Sequence, residues 1–461
     1  MTRYGILLFL LSVYAMLAGV CLLIPEGGIN AGPCTLGFPT LAEVRSSLVH
    51  DGDPQPAPDP EQLIKERMAS IRNAEQRRFD EYFESNPARL HFPDGDISMF
   101  DPFFRSLDGA RARRMRILHY GDSQIEEDRI TSTVRARLQE RFGGGGPGLM
   151  PFGRPYYTLG FSESSTAELP RYLVFGEGNR RSDSKYGIMG QSVRLDTSVF
   201  TSVSATKGNK GPSRYFRRLT MLSGGGVRLK CNGRQFAAES PSDPSGIVRM
   251  TVDLPDSSHN VRFSTWGYGD IYGIQLDDTL GVCMDNIPMR GCSGTIFTRM
   301  SSAQLKEYAE NDNVRLVILQ FGGNAMPYRK TGKSISEYRQ SLEKQIRHLH
   351  ALMPDACILF IGPSDMSTSI GGRMKTYPHL PMMVDSLRAA AFDAGAAYWD
   401  MYAAMGGEGS MAGWVKSNPP LAGSDHVHFT PLGAEAVGNM LYESLMVYYE
   451  YYRMRKGAPA E

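Results

Sequence analysis

The chain reads as an α/β protein with a parallel sheet, interrupted by an all-β segment. Three observations carry that reading. Val314–Phe321 and Cys357–Ile361 are near-continuous apolar runs, as strands buried on both faces require. Helical periods fall between and after them, over Ser334–Met353 and 378–394, where parallel strands need crossovers. From about 155 to 275 those periods vanish and short alternating runs replace them.

Composition narrows the class. A length of 461 residues predicts two or three folding units. Lys and Arg number 50 against 49 Asp and Glu, for a net charge of +1. That balance excludes a nucleic-acid binder driven by bulk charge, so no nucleic-acid partner is expected. Hydrophobic residues are 41%, enough for large cores, which excludes a chain disordered throughout. Six cysteines in this length exclude a disulfide scaffold. None forms a CxxC pair, so no zinc site is expected, and the serine chemistry read below requires no metal or cofactor. Cys283 and Cys292 stand near enough in sequence to meet in space.

The elements follow in order. Residues 1–25 are a signal anchor or signal peptide. Tyr4–Ile24 holds no charge, is long enough to span a bilayer, and follows Arg3. The absence of a small-x-small site after Gly19 favours a retained transmembrane helix, with residues 4–24 as the membrane partner. The remainder is then exported, periplasmic or at the cell surface, and anchored to the inner membrane. Residues 26–60 form a Pro-rich linker, extended over Asp51–Pro60. Residues 61–110 are a helical lead-in, opened by Asp59 as N-cap and Pro60 at N1. Residues 111–155 begin the α/β unit with the strand Met115–Tyr120 and a helix from Gln124 to about Phe142. The run Gly143–Gly148 ends that helix; it lacks the Lys-Ser/Thr of a phosphate loop. Residues 156–278 are an inserted β-sandwich. In it Val227, Leu229 and Cys231 alternate with Arg228 and Lys230, and Asn232-Gly233 supplies a hairpin turn. Residues 279–456 complete the α/β unit and end in a helix over Pro431–Arg455.

Four short signals carry chemistry. Gly121-Asp122-Ser123 closes a strand, Gly291 follows the run Gly281–Ile287, Gly322-Gly323-Asn324 closes the most apolar strand, and Asp425-His-Val-His428 precedes the last helix. Strand ends in an open α/β sheet share one crevice. A serine there needs a base, which His428 supplies, and Asp425 holds the imidazole tautomer. Ser123, first in its helix, would sit at the positive end of the dipole. The backbone N–H of Ser123, that of Gly291 and the Asn324 amide would receive an oxyanion. Each signal is weak alone; their joint order at strand ends and loops gives them weight.

On these residues the sequence resembles the SGNH (GDSL-like) hydrolases. Ser123, Gly291, Asn324 and His428 match the four blocks, and the first reads Gly-Asp-Ser-Gln-Ile-Glu. The resemblance covers about 110–155 and 280–455. It implies a flavodoxin-like three-layer α/β/α sandwich and ester hydrolysis or acyl transfer. An all-β insert between the serine and glycine blocks is similar to exported bacterial peptidoglycan O-acetylesterase-type members, where it resembles a carbohydrate-binding module. The glycine block is loose, which leaves Gly294 as a rival donor, and Ala325 replaces the acidic residue often found after the asparagine.

Each residue has a plainer reading. Ser123 can be a helix N-cap, His428 a structural loop histidine with His426 as base, and Asn324 a cap. Asp122 is read as a brace for its turn. Trp266, Tyr268 and Tyr272 suit core packing better than sugar stacking. Arg290 and Arg299 suit a solvated face better than an anionic ligand. The expectation is a serine esterase removing O-acyl groups, O-acetyl foremost, from a cell-envelope or other polysaccharide. Catalytic Ser123, His428 and Asp425 would act beside an oxyanion hole of Ser123, Gly291 and Asn324; substrate-binding residues stay unknown. The alternatives are an O-acetyltransferase with the same triad and a non-catalytic anchored carbohydrate-binding protein. A lipase or thioesterase would want a long apolar lid, and no such run stands out.

Overall fold

A computed structural model describes residues 3–457, apart from 24–28, 32–33, 37–38, 41, 44, 46–59, 154–155, 207 and 240–242. The chain divides into two compact units, Met1–Arg78 and Phe79–Glu461. In the first, α1 spans Arg3–Leu23, and β1 (Ile29–Ala31) pairs antiparallel with β2 (Cys34–Leu36). That hairpin interrupts the segment expected to be linker. Asp59 and the extended stretch before it lie outside the described residues. Among the described residues no helix is long and apolar enough to cross a membrane, so the expected transmembrane helix and its membrane partnership find no support there. The side chains of Tyr4, Ile6, Leu7 and Leu10 in α1 are outside the described ones. Helix α2 (Pro60–Ser85) starts in this unit and ends in the next.

The second unit is built on a six-stranded sheet. Its order is β16 (Val282–Pro288), β4 (Met115–Gly121), β17 (Val314–Gln320), β18 (Cys357–Ile361), β21 (Ala397–Trp399) and β3 (Leu90–His91). The first five run parallel. β3 runs antiparallel to β21, so the sheet is mixed where a purely parallel one was expected. This two-residue strand covers the edge of β21 and blunts an otherwise open ladder.

Side chains alternate across the sheet and feed two cores. Ile117, Leu316 and Ile318 face α3 (Asp101–Asp108), α4 (Thr131–Phe142) and α9 (Pro431–Arg455). Leu118, Val317 and Leu319 face α5 (Ser302–Asn311), α6 (Gly332–Leu352) and α7 (Leu380–Asp393). The result is a three-layer α/β/α arrangement. The last turns of α2 add aromatic packing to α9: Phe83 stacks on Tyr448 at 4.7 Å between ring centroids, and Phe79 meets Tyr451 at 5.3 Å.

Between β4 and β16 the chain makes two antiparallel sheets. One is β13 (Val248–Ser258), β10 (Phe216–Ser223), β15 (Gly269–Asp277), β8 (Gln191–Leu195) and β7 (Arg171–Leu173), with β5 (Gly148–Met150) also on β15. The other is β12 (Arg234–Ala237), β11 (Val227–Cys231), β14 (Asn260–Gly267), β9 (Val199–Ala205) and β6 (Phe161–Ser165). Val203, Leu229 and Phe263 of the second share a core with Leu219, Met221 and Ile274 of the first. Asn232 and Gly233 both adopt positive φ at the β11–β12 turn, as that dipeptide suggests.

Two local expectations are corrected. No helix follows Ser123 directly. A short 3-10 turn covers Glu126–Asp128, and α4 opens only at Thr131, so its dipole is not at the serine. Glu127 and Asp128 take positive φ, which no helix admits. Second, the glycine run does more than stop α4. A Cβ on Gly144 would lie 2.4 Å from the Val282 carbonyl oxygen, and one on Gly146 would lie 2.0 Å from that of Leu276. The run threads backbone against backbone between β15 and β16, where any side chain collides.

Candidate active site

The site forms where β4, β16, β17 and β18 end. β4 delivers Gly121 and the turn carrying Asp122 and Ser123. β17 delivers Gly323 and Asn324, and the loop before α9 delivers Asp425 and His428. Ser123 Oγ lies 2.8 Å from His428 Nε2, and His428 Nδ1 lies 2.7 Å from Asp425 Oδ2. Asp425 Oδ1 accepts the N–H groups of Val427 and His428, each at 3.0 Å, which folds the loop around its own carboxylate. Burial raises the Asp425 carboxyl, but the His428 side chain and these two N–H groups outweigh it and hold it below the usual range.

A cavity of about 360 Å³ opens beside the serine. Ser123, Gly291, Asn324 and His428 line it, with Phe321, Pro363, Met366, Tyr377 and Met401 as apolar wall. Among the described residues, neither the Ser123 N–H nor the Gly291 N–H has an acceptor. The Gly294 N–H instead faces Cys292 Sγ at 3.3 Å, and Gly294 packs on Phe321. Of the two glycines, Gly291 is therefore the one with a donor to offer. Asn324 is committed in this state: its Nδ2 donates to Asp122 Oδ2 at 3.0 Å and to the Cys292 carbonyl at 3.3 Å.

Asp122 braces its turn by accepting the Gln124 N–H at 3.0 Å. Sequence reasoning did not foresee its second contact, to Asn324. Burial pushes the Asp122 carboxyl up to about 6, against the pull of Gln124, His428 and Asn324. His426 makes no hydrogen bond to Ser123, which pairs with His428; the His426 carbonyl accepts the Ser367 N–H. Arg290 lies on the cavity rim, paired with Glu126 at 2.9 Å. Tyr272 is core, Tyr268 is exposed with Arg194 over its ring, and neither they nor Trp266 line the cavity. Cys283 and Cys292 are both free thiols. No group of three His, Cys, Asp or Glu among the described residues is placed to hold a metal ion.

A serine, a histidine and an aspartate in one hydrogen-bonded line, beside unclaimed N–H donors, define the class: this is a serine hydrolase of SGNH type. Comparison with known proteins agrees. Residues 257–436 match the sequence model of the GDSL-like Lipase/Acylhydrolase family. The match takes in Gly291, Asn324, Asp425 and His428 and stops short of Ser123, which the β insert separates from them in sequence. A solved structure described as "Peptidoglycan O-acetylesterase in action, 5 min" covers 79% of this chain and 99% of its own, at 21% identity and TM-score 0.63. The two share a fold. An acetyl xylan esterase covers 36% of this chain and 81% of its own, at 17% identity and TM-score 0.26. A family 2 carbohydrate esterase with a carbohydrate-binding domain, from Corynascus thermopiles (Myceliophthora fergusii), covers 55% and 94%, at 11% identity and TM-score 0.25. Among curated protein sequences none matches the chain.

Proposed function

We propose that the protein is an extracytoplasmic serine esterase that removes O-acyl groups, O-acetyl foremost, from a cell-envelope or other polysaccharide. The observation that carries this reading is the 2.8 Å contact of Ser123 Oγ with His428 Nε2 at the cavity. Ser123 Oγ attacks the acyl carbonyl while His428 Nε2 takes its proton. Asp425 holds the Nδ1–H and stabilises the imidazolium. The oxyanion is received by the N–H groups of Ser123 and Gly291. Asn324 joins them by exchanging its weaker bond to Cys292 for the oxyanion. Collapse expels the sugar oxygen, which takes the proton back from His428. Water then attacks the acyl-enzyme with His428 as base and releases the acid.

Three further observations support the finer points. The His428 side chain is 35% exposed and that of Asp425 51%, so water reaches the base. That favours hydrolysis over transfer to a sugar acceptor. The structure sharing this fold carries the name peptidoglycan O-acetylesterase, which supports an O-acetylated glycan as substrate. The uncharged run Tyr4–Ile24 behind Arg3 supports export to the periplasm or cell surface.

The test is acetate release by the full chain from p-nitrophenyl acetate, O-acetylated peptidoglycan and acetylated xylan, with Ser123→Ala alongside. Release that disappears in the variant is expected. Equal release by both would overturn the reading, and product that appears only with a sugar acceptor would make the protein a transferase.

A further inference from the structure

Ser123 and His428 come from opposite ends of the second unit, so their contact depends on what fixes the His428 loop to the Ser123 turn. Two hydrogen bonds do this, one on each side of the histidine. Gln124 Nε2 donates to the Val427 carbonyl at 2.6 Å, and Arg129 Nη1 donates to the Phe429 carbonyl at 3.2 Å. Both donors belong to the turn that carries the serine. Arg129 Nη2 also donates to the carbonyl of Ser123 itself at 2.9 Å. One guanidinium thus ties the serine's own backbone to the residue after the histidine. The planar fork of arginine spans the two carbonyls with two separate nitrogens, where a lysine presents one.

The turn is strained in order to do so. Glu127 and Asp128 have φ of 64° and 66° in succession, a region costly for any residue but glycine. Asp128 is held there by a bidentate pair with buried Arg135, at 2.7 and 2.8 Å. Arg129 Nε donates to the Glu126 carbonyl at 3.0 Å, which closes the turn on itself. Gln124 is 8% exposed and its amide also reaches Ser364 Oγ at 3.4 Å, so its donor direction is fixed. Strain of this kind, stabilised from behind, marks a segment whose shape serves the site.

We propose that Gln124 and Arg129 are positioning residues that clamp the loop on either side of His428 and thereby set the distance between Nε2 and Ser123 Oγ. The proposal rests on the reading of Ser123 as nucleophile and His428 as base. The clamp acts on the approach of the base; Arg129 does not line the cavity that takes the ester, whereas Gln124 does, so Arg129 gives the cleaner separation of kcat from KM. A displacement on the order of 1 Å at a reacting pair costs roughly 100-fold. Loss of either donor therefore lowers kcat, and loss of the Arg129 donor leaves KM near its wild-type value.

The experiment is a double-mutant cycle on the full chain with p-nitrophenyl acetate. Gln124→Met and Arg129→Met are expected to lower kcat by about 10- to 100-fold, with KM changed by less than about 3-fold in Arg129→Met, whose side chain does not line the cavity. Arg129→Lys, which keeps one donor nitrogen, recovers part of the loss. In a His428→Ala background the same substitutions should move the residual rate by less than about 3-fold, because they act through the histidine. Should Arg129→Met not fold, Gln124→Met and Arg129→Lys carry the cycle. Wild-type kcat in Gln124→Met and Arg129→Lys, with Ser123→Ala inactive, would overturn the clamp alone. So would an equal loss in the His428→Ala background, which marks a merely structural role. Equal rates for wild type and Ser123→Ala would overturn the clamp and the esterase reading together.

Discussion

Asn324 donates to Asp122 across 3.0 Å, which joins the third oxyanion donor to the residue just before the nucleophile. The carboxyl is buried, and burial pushes it up to about 6 from an ordinary 3.8. Its protonated form is thus favoured in the folded chain. The stabilising contribution is full below about pH 4 and lost as pH rises through about 6, on the order of 3 kcal/mol in all. Asp122→Asn removes this titration. Thermal unfolding of both forms from pH 4 to 8 should show the Tm difference moving in favour of the variant as pH rises. A constant difference would mean that Asp122 titrates normally.

The two oxyanion candidates other than Ser123 should respond differently to alanine. Asn324→Ala deletes the donor, and the loss expected is about 10²–10³ in kcat with KM little changed. Gly291→Ala keeps its N–H. A Cβ there meets nothing within 4 Å, yet φ is 75°, so the change costs stability of about 1 kcal/mol and little rate. Steady-state kinetics and a urea melt on each variant check this. A rate loss in Gly291→Ala as large as in Asn324→Ala would show that the loop moves when φ is strained.

Asp425→Asn retains the shape of the loop but reverses what Nδ1 sees. The Asp425 oxygens accept two backbone N–H groups and the imidazole N–H. An amide can keep the backbone bonds through its oxygen and must then present NH₂ to the ring. The disfavoured tautomer has no lone pair facing Ser123, and kcat should drop by about 10² or more. Because hydrogen bonds hold the wild-type carboxyl below its usual range, the loss should be constant from pH 6 to 8. A loss confined to the alkaline side would instead point to titration of Asp425 within that range.

Much of this was legible in the sequence because strand ends and chemistry coincide. Val314–Gln320 and Cys357–Ile361 are apolar on both faces, so they announce central parallel strands. Pro431 and Arg455, read as the bounds of the last helix, are its bounds in the structure. The four signals at Ser123, Gly291, Asn324 and His428 all reach one cavity. What stayed hidden was backbone geometry that composition does not encode. Positive φ at Glu127 and Asp128 delays α4 to Thr131, and neither residue type signals it. The clamp escaped for a similar reason. Gln124 and Arg129 donate to carbonyls, which every residue possesses, so no partner residue type reveals the contact. The glycine run was read for its helix-ending property, while its need for close approach depends on strands far along the chain.

A buried ionic cluster supplies the last prediction. Arg116 on β4 is fully buried, and it pairs with Asp285 on β16 and with Asp277 at the end of β15. Asp312 approaches the same guanidinium at 3.4 Å and also takes Arg249 at 2.8 Å. Tyr308 donates to Asp285 at 2.8 Å, and the Leu149 N–H donates to the other oxygen of that carboxylate at 2.8 Å. One cation therefore compensates carboxylates from the β insert and from the α/β sheet at once. Replacing this cation leaves Asp285 charged and dry and leaves Asp277 only Arg114 at 3.9 Å, while Asp312 keeps Arg249; breaking such a buried pair typically costs about 3–5 kcal/mol. Arg116→Met should lower the unfolding free energy by about that amount in a urea melt. Adding Asp277→Asn should return part of it, because a buried charge left with only the distant Arg114 is then gone. Ser123 lies beyond the other end of β4, so kcat of the folded fraction should hold near wild type. A change under about 1 kcal/mol would mean that water or proton uptake already neutralises the acids, and the insert would then owe its attachment to Val174, Ile188 and Met189 in the shared apolar core.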